Sequence, residues 1–146
     1  MNKKEYVIRQ EPIPYMLVKN YFSEDDIEHM FRELRFLTPK MTFQDGKDLP
    51  SKDHKKNTQI NLDDLDTDYY KTHRDIAVIS MMYWLWEEPK SFEGGNIHLT
   101  DYDIEIPLER NQLMIMPSSL NHAVDPIKMI KQTDKLSGMG RYCIVR

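Results

Sequence analysis

Apolar residues near the start of the chain first follow the pattern of short strands and then the period of a helix. Residues 6–8 and 15–18 are predicted to form strands around a turn that contains prolines. Ser23 is a favourable N-cap for the helix that follows, and acidic residues fill its first turn. Five apolar residues then repeat at helical spacing: Ile27, Met30, Phe31, Leu34 and Leu37. These signals predict a helix that ends before Pro39.

The second half of the chain has the pattern of a β protein. Residues 76–86 are nearly all apolar and rich in β-branched and aromatic side chains, which predicts a strand buried on both faces. Further short strands are predicted between polar turns, at residues 96–100, 104–106, 112–116 and 142–145. The polar residues 40–58 are predicted to form a loop. One helix followed by many short strands indicates a mainly β fold (α+β), a sandwich or barrel with the helix outside, and a jelly roll is one such fold.

Composition and charge narrow the class of protein further. The 146 residues suit a single domain spanning 1–146, and the net charge of −4 gives no support to nucleic-acid binding. The basic run at residues 52–56 is predicted to be a solvated loop. Cys143 is the one cysteine, so no disulfide can form within the chain. No signal peptide is recognised and the longest apolar run is too short for a membrane span, so we expect a cytoplasmic protein.

His73 and Asp75 are the first candidates for chemistry, in the segment YYKTHRDIAV. In an extended chain, residues i and i+2 point to the same face, so the imidazole and the carboxylate can enter one cavity. Two histidines and one carboxylate form a ligand set that proteins use for iron(II). The pair alone is a weak signal for a metal, because an Asp–His hydrogen bond at a strand end is the ordinary explanation for it. The remaining histidines, apart from His122, are predicted to be surface or packing residues: His29, His54 and His98.

His122 and Arg141 are the other two candidates. His122 follows a predicted strand and a proline turn in NQLMIMPSSLNHAV, where it can be a third ligand or a core histidine. Arg141 precedes the terminal apolar strand and follows Gly138 and Gly140. A guanidinium that points inward needs an anion, and its planar group matches a carboxylate with two parallel hydrogen bonds. An arginine that faces solvent is the structural alternative.

In their order along the chain, these segments resemble the prolyl-4-hydroxylase-like branch of the iron(II)/2-oxoglutarate-dependent dioxygenases. YYKTHRD resembles the H-x-D segment of that branch, and EEPKSFEGGNIHL resembles the turn and glycine pair before its next strand. NQLMIMPSSLNHAV resembles its distal histidine segment, and GRYCIV resembles the segment with its 2-oxoglutarate-binding basic residue. The resemblance covers about residues 67–146, with residues 1–40 corresponding to a supporting strand and an outer helix.

The resemblance implies a cupin-like double-stranded β-helix, that is, a jelly roll. It implies that iron(II) is held by His73, Asp75 and His122, and that the far carboxylate of 2-oxoglutarate is held by Arg141. Tyr70 is a candidate for lining the cosubstrate site. The implied reaction consumes O2 and 2-oxoglutarate, optionally with ascorbate, and hydroxylates an unactivated C–H bond. The implied substrate is a protein or peptide side chain such as proline, with a small molecule as the alternative.

Departures from the family pattern leave two other functions open. Asp63 lies near the position where relatives often have a tyrosine for 2-oxoglutarate, and the N-terminal half is short. These departures motivate the alternative of a jelly-roll binding module that keeps the fold without catalysis. The set His73, Asp75 and His122 also suits a cupin-like protein with zinc or manganese. His122 and Arg141 are 19 residues apart, about twice the separation in many relatives, which predicts an extended loop over the site at residues 125–140.

Overall fold

A computed structural model of the protein describes residues 3–38, 42–44, 55–59, 69–130 and 138–145. The described chain is mostly β-sheet with one helix, α1 (Glu24–Leu37). The strands, in chain order, are β1 (Glu5–Arg9), β2 (Tyr15–Lys19), β3 (Thr42–Gln44), β4 (Lys55–Gln59), β5 (Tyr69–His73), β6 (Ile79–Leu85), β7 (Phe92–Gly94), β8 (Ile97–Leu99), β9 (Ile104–Ile106), β10 (Gln112–Pro117), β11 (His122–Val124), β12 (Ile127–Met129) and β13 (Tyr142–Val145).

The start of α1 is determined by the residues around its N-cap. The Ser23 side chain accepts a hydrogen bond from the backbone N–H of Asp26, and the Asp26 carboxylate accepts one from the Ser23 backbone. This reciprocal capping box satisfies two N–H groups that have no partner within a helix. The predicted helix is therefore confirmed, and its apolar face buries Ile27, Phe31 and Leu34.

Two antiparallel sheets make up most of the fold. One has five strands in the order β1-β2-β10-β6-β13, and the other has six in the order β3-β4-β5-β11-β8-β9. A separate two-stranded sheet pairs β12 with β7. Every strand pair in these sheets is antiparallel. The predicted mainly β class with one helix is confirmed at this level.

The five-stranded sheet is covered on both faces. Tyr83, Leu85 and Tyr142 pack with α1 in one core cluster. Met82 and Trp84 alternate with Tyr83 and Leu85 along β6 and belong to a second cluster. That second cluster also contains apolar residues of the six-stranded sheet. Since alternate residues of a strand point to opposite faces, α1 lies on one side of the five-stranded sheet and the six-stranded sheet on the other. The space between the two sheets is where a buried site can form.

The apolar run at residues 76–86 is not one continuous strand, so this prediction was wrong in part. The strand begins only at Ile79, while Ile76 is fully exposed and Val78 is 87% exposed. The cause is a local loop. The backbone carbonyl of Ser118 accepts a hydrogen bond from the N–H of Asp75, and the N–H of Ser118 donates to the carbonyl of Val78. Both hydrogen bonds go to one residue, so residues 76 and 77 between them form a loop that projects outward. The side-chain pattern contains no sign of this loop.

Two predicted loops contain strands. Within residues 40–58, β3 pairs with β4, and β4 pairs with β5. Within residues 125–140, β12 pairs with β7. β3 and β4 are mostly polar and form through backbone pairing, so they lack the apolar alternation by which a strand is recognised in a sequence. β12 does alternate, but over only three residues. The predictions that concern Lys52, His54 and Asp63 lie outside the described residues.

Over the described ranges, the structure contains no helix that is both long and apolar enough to cross a membrane.

Candidate metal centre

Three of the predicted side chains meet at one point of the six-stranded sheet. His73 is the last residue of β5 and lies directly opposite His122, the first residue of β11. Asp75 follows in the connection to β6, and its carboxylate faces the Nε2 atoms of both rings. The distance from Asp75 Oδ1 to His73 Nε2 is 3.6 Å, and from Asp75 Oδ2 to His122 Nε2 it is 3.8 Å. The three residues form a group that can hold a metal ion, with one ligand atom from each within 4.8 Å of the others.

Backbone carbonyls orient both imidazole rings. His73 Nδ1 lies 2.9 Å from the carbonyl oxygen of Lys71, and His122 Nδ1 lies 3.0 Å from that of Leu120. A carbonyl only accepts hydrogen bonds, so each Nδ1 donates its N–H. In the neutral rings, the Nε2 lone pairs are then directed at the Asp75 side of the site. This is the second contact that metal-binding histidines in proteins usually make, and it fixes both the tautomer and the ring plane.

The separations of the three side chains exclude direct hydrogen bonds between them and are compatible with a shared cation. At 3.6 and 3.8 Å, the nitrogen–oxygen distances are too long for hydrogen bonds. Bonds from a divalent metal to nitrogen and oxygen are about 2.1 Å each, so two ligand atoms of one ion can lie at such a separation. His122 is buried, with 2% exposure, whereas His73 and Asp75 are partly exposed. The site is thus open on one side and closed on the other.

Two buried serines hold the Asp75 carboxylate. The Ser80 hydroxyl donates a short hydrogen bond to Asp75 Oδ2, and Ser118 Oγ lies 2.7 Å from Ser80 Oγ. Since Ser80 uses its proton for Asp75, Ser118 must donate to Ser80. The backbone carbonyl of Ser118 also accepts the N–H of Asp75, at 3.1 Å. Both the main chain and the side chain of Asp75 are therefore fixed before any ligand arrives.

We predict that Ser80→Ala weakens the binding of a divalent metal at this centre by about 10- to 100-fold, the range observed when residues that orient metal ligands are removed. Isothermal titration of the metal-free protein with Mn²⁺ measures the change. Ser119→Ala is the matched control, because Ser119 lies on the same turn as Ser118 but is exposed. An unchanged dissociation constant in Ser80→Ala would mean that the hydroxyl does not orient the ligand.

Tyr70 lies directly against the first histidine. Its ring stacks on that of His73, with 3.6 Å between centroids and an angle of 27° between the planes. Burial raises the pKa of the Tyr70 hydroxyl, and the charge of Asp75 raises this pKa further. The phenol therefore stays neutral at physiological pH, and the ring restricts the orientation of His73.

Arg141 points into the space between the sheets. Tyr142 packs on the helix side, where its hydroxyl lies 3.2 Å from Thr38 Oγ1. The alternation of side chains along a strand then puts Arg141 on the opposite face of the sheet. Arg141 is only 4% exposed, and its Nη1 donates a hydrogen bond to the carbonyl oxygen of Gly95 at 2.7 Å. The solvent-facing alternative for this arginine is therefore wrong.

The glycine pair before β8 has a clear steric role. Gly94 has a φ of +79°, and a Cβ at this position would lie 2.2 Å from the carbonyl oxygen of Pro126. Gly95 has a φ of +78° and contacts Arg141 through its carbonyl group. Side chains would thus be strained at both positions, and one at Gly94 would also collide with the backbone of Pro126.

Sequence reasoning missed the two serines and the direct pairing of the histidines. Ser80 is the polar residue within the otherwise apolar run of β6, and this was the available signal. The pairing of His73 with His122 depends on the register of two strands that are distant along the chain, which no local pattern encodes. His73 is the last residue of β5, and Asp75 lies in the connection between β5 and the buried strand β6.

Comparisons with known proteins do not identify the chain. No known protein family matches it, and no curated protein does.

Proposed function

We propose that this protein is an iron(II)- and 2-oxoglutarate-dependent dioxygenase that hydroxylates an unactivated C–H bond. The observation that carries the proposal is the convergence of His73, Asp75 and His122, with both rings held so that Nε2 is directed to the shared point. Two histidines and one carboxylate on one side of an iron(II) ion leave its other coordination positions open for a cosubstrate and O2.

The topology supports a jelly roll as the specific form of this fold. From β5 onward, strands of the two facing sheets follow one another in chain order: β5 and β6, then β8 and β9 before β10, then β11 before β13. A chain that repeatedly crosses between two antiparallel sheets in this way is typical of a double-sheet jelly roll. Such a fold brings the end of β5 and the start of β11 to the same end of the molecule.

The residues of the site suit the two groups that the proposal requires. When bound, iron(II) and 2-oxoglutarate supply the oxidising chemistry, in which O2 is consumed and 2-oxoglutarate becomes succinate and CO2. His73, Asp75 and His122 hold the metal, and Ser80 orients the carboxylate. The buried sheet behind His122 excludes water from that side, while the partly exposed side admits substrate.

Arg141 provides the cation that a dicarboxylate cosubstrate needs. It is buried between the sheets, and its Nη1 donates a hydrogen bond to the carbonyl oxygen of Gly95. The guanidinium has further N–H groups in a planar arrangement that matches a carboxylate. We propose that they bind the far carboxylate of 2-oxoglutarate, which a zinc hydrolase would not require.

The surface beside the centre supports a substrate with an apolar part. Ile76, Val78 and Ile79 are 105%, 87% and 55% exposed, and they follow Asp75 directly. Exposed apolar residues grouped next to a site mark surfaces that bind apolar partners. A protein or peptide side chain such as proline fits this surface, and it is the substrate that we propose.

Addition of iron(II) and 2-oxoglutarate without oxygen tests the proposal. We expect a weak visible charge-transfer band that appears only when both are present, because 2-oxoglutarate must chelate the bound metal. Succinate in place of 2-oxoglutarate is the ligand control, since it lacks the keto acid. His122→Ala should eliminate the band. If the wild-type protein binds iron(II) but gives no band with 2-oxoglutarate, the dioxygenase proposal is wrong.

A further inference from the structure

A second group of possible metal ligands lies outside the centre described above. His98 of β8, Glu105 of β9 and Asp125, the residue after β11, each offer one ligand atom, and these atoms lie within 4.8 Å of one another. His98 Nε2 lies 3.0 Å from Asp125 Oδ2. The three residues come from separate segments of the six-stranded sheet, so their proximity depends on the fold and not on closeness along the chain.

The sheet register puts this group on the face opposite the metal centre. His98 lies between Ile97 and Leu99, which are both buried in the core. His98 therefore points to the outer face, where it is opposite Glu105 on one side and Ala123 on the other. His122, by contrast, pairs with Leu99 and is itself buried. The two groups are thus distinct sites on the two faces of one sheet.

Asn96 positions the group through its side chain and its backbone. Its amide nitrogen donates a short hydrogen bond to Glu105 Oε1. Its carbonyl side chain accepts the backbone N–H of Leu108 at 3.0 Å, which fixes the amide. The backbone carbonyl of Asn96 accepts the N–H of Asp125, also at 3.0 Å. One residue therefore fixes the carboxylate of Glu105 and the backbone of Asp125, as residues around metal ligands do.

The charge of this group is not balanced by the described residues around it. Within the ranges that the structure covers, no lysine or arginine forms an ion pair with Glu105 or Asp125, and His98 is the one ion-pair partner of Asp125. Two carboxylates that face one imidazole leave excess negative charge at a fixed point. The His98 and Asp125 side chains are 34% and 38% exposed, so a cation can reach them from solvent without unfolding.

We propose that His98, Glu105 and Asp125 form a second divalent transition-metal site. One imidazole nitrogen and two carboxylate oxygens suit Zn²⁺ or Mn²⁺, whereas Ca²⁺ prefers oxygen ligands alone. The bound metal links β8, β9 and the end of β11, the strand that carries His122. A metal bound at this second site therefore stabilises the sheet on which the first centre is built. This stabilising role does not depend on the proposed dioxygenase activity.

Zinc titration of two variants isolates this site. Isothermal titration of metal-free His122→Ala with Zn²⁺ should retain a binding event with a stoichiometry of one, because the first centre has lost a ligand. Adding His98→Ala to that variant should raise the dissociation constant at least tenfold, since even residues behind the ligands contribute 10- to 100-fold. Glu105→Gln in the same background keeps an acceptor for Asn96 and should weaken zinc binding without affecting folding.

His29→Ala is the matched control, since His29 is exposed on α1 and contacts only the carbonyl of Asp25 among the hydrogen bonds of the described chain. Zinc should also raise the melting temperature of His122→Ala but not of the double variant. Equal zinc affinity in His122→Ala and in the His122→Ala/His98→Ala protein would overturn the second site. A missing 2-oxoglutarate band would instead contradict the dioxygenase proposal and leave this result unaffected.

Discussion

Asp75→Ala is expected to reduce the formation of succinate from 2-oxoglutarate at least about 100-fold, because loss of a ligand should cost no less than the 10- to 100-fold cost of losing a residue that only orients one. Asp75 supplies the negative charge of the set, and its two oxygens face His73 Nε2 and His122 Nε2. Without it, the site keeps two neutral nitrogen donors and loses its attraction for a divalent cation. Quantification of succinate under saturating iron(II) and 2-oxoglutarate measures the effect, with or without a hydroxylation substrate.

Asp75→Asn separates the charge from the shape of the side chain. The amide oxygen can still accept the hydrogen bond of Ser80, so the local structure should persist while metal binding falls. Asp25→Asn is the control, because Asp25 is an exposed carboxylate on α1, remote from the centre in sequence and on another element. Far-UV circular dichroism verifies folding. Unchanged succinate formation in Asp75→Ala would show that this carboxylate is not a ligand of the catalytic metal.

The helix and the apolar strands of the fold could be predicted because their signals are local. Ser23 and the acidic first turn determine the start of α1, and helical spacing identifies its buried face. Strands rich in apolar residues, such as Gln112–Pro117 and Tyr142–Val145, leave a pattern in the sequence. By contrast, β3 and β4 are formed by polar segments and depend on pairing with neighbours that the sequence does not reveal.

The candidate site was predictable in its residues but not in its arrangement. Histidine and aspartate two residues apart, with a later histidine after a proline turn, are visible in the sequence. The sequence predicted that His73 and Asp75 approach each other on one face of a single extended segment. In the structure, His73 ends β5 and Asp75 lies in the connection that follows. Backbone hydrogen bonds of Ser118 with Asp75 and Val78 shape the connection between β5 and β6. Hydrogen bonds between segments that are distant along the chain leave no local pattern in the sequence.

The candidate metal centre and the proposed outer site lie on opposite faces of the six-stranded sheet and involve the same strands. Leu99 pairs with His122 towards the interior, and the adjacent His98 pairs with Ala123 towards the exterior. A metal at the outer site would restrict the same strand pair that sets the position of His122. The stability of this pair is therefore the physical link through which the outer site can affect affinity at the inner one.

Arg141→Ala is expected to raise the dissociation constant for 2-oxoglutarate about 100-fold and to leave iron(II) affinity unchanged. Truncating one partner of a buried charged pair costs about 2–5 kcal/mol, and 100-fold corresponds to about 2.7 kcal/mol. Arg141 is buried between the sheets, so solvent does not screen its charge. Titration of the charge-transfer band with 2-oxoglutarate under anaerobic conditions measures the affinity for 2-oxoglutarate. Isothermal titration with iron(II) alone measures the affinity for iron(II).

Arg141→Lys distinguishes a positive charge from the planar group that binds a carboxylate with two hydrogen bonds. A lysine keeps the charge but not the two parallel donors, so its affinity for 2-oxoglutarate should lie between those of the wild type and Arg141→Ala. Arg35→Ala is the control, because Arg35 forms exposed ion pairs with Glu28 and Glu87 on the helix side of the molecule. If Arg141→Ala binds 2-oxoglutarate normally, the cosubstrate does not use this cation. If Arg141→Ala loses as much affinity for iron(II) as for 2-oxoglutarate, Arg141 supports the fold of the centre and does not recognise the organic acid.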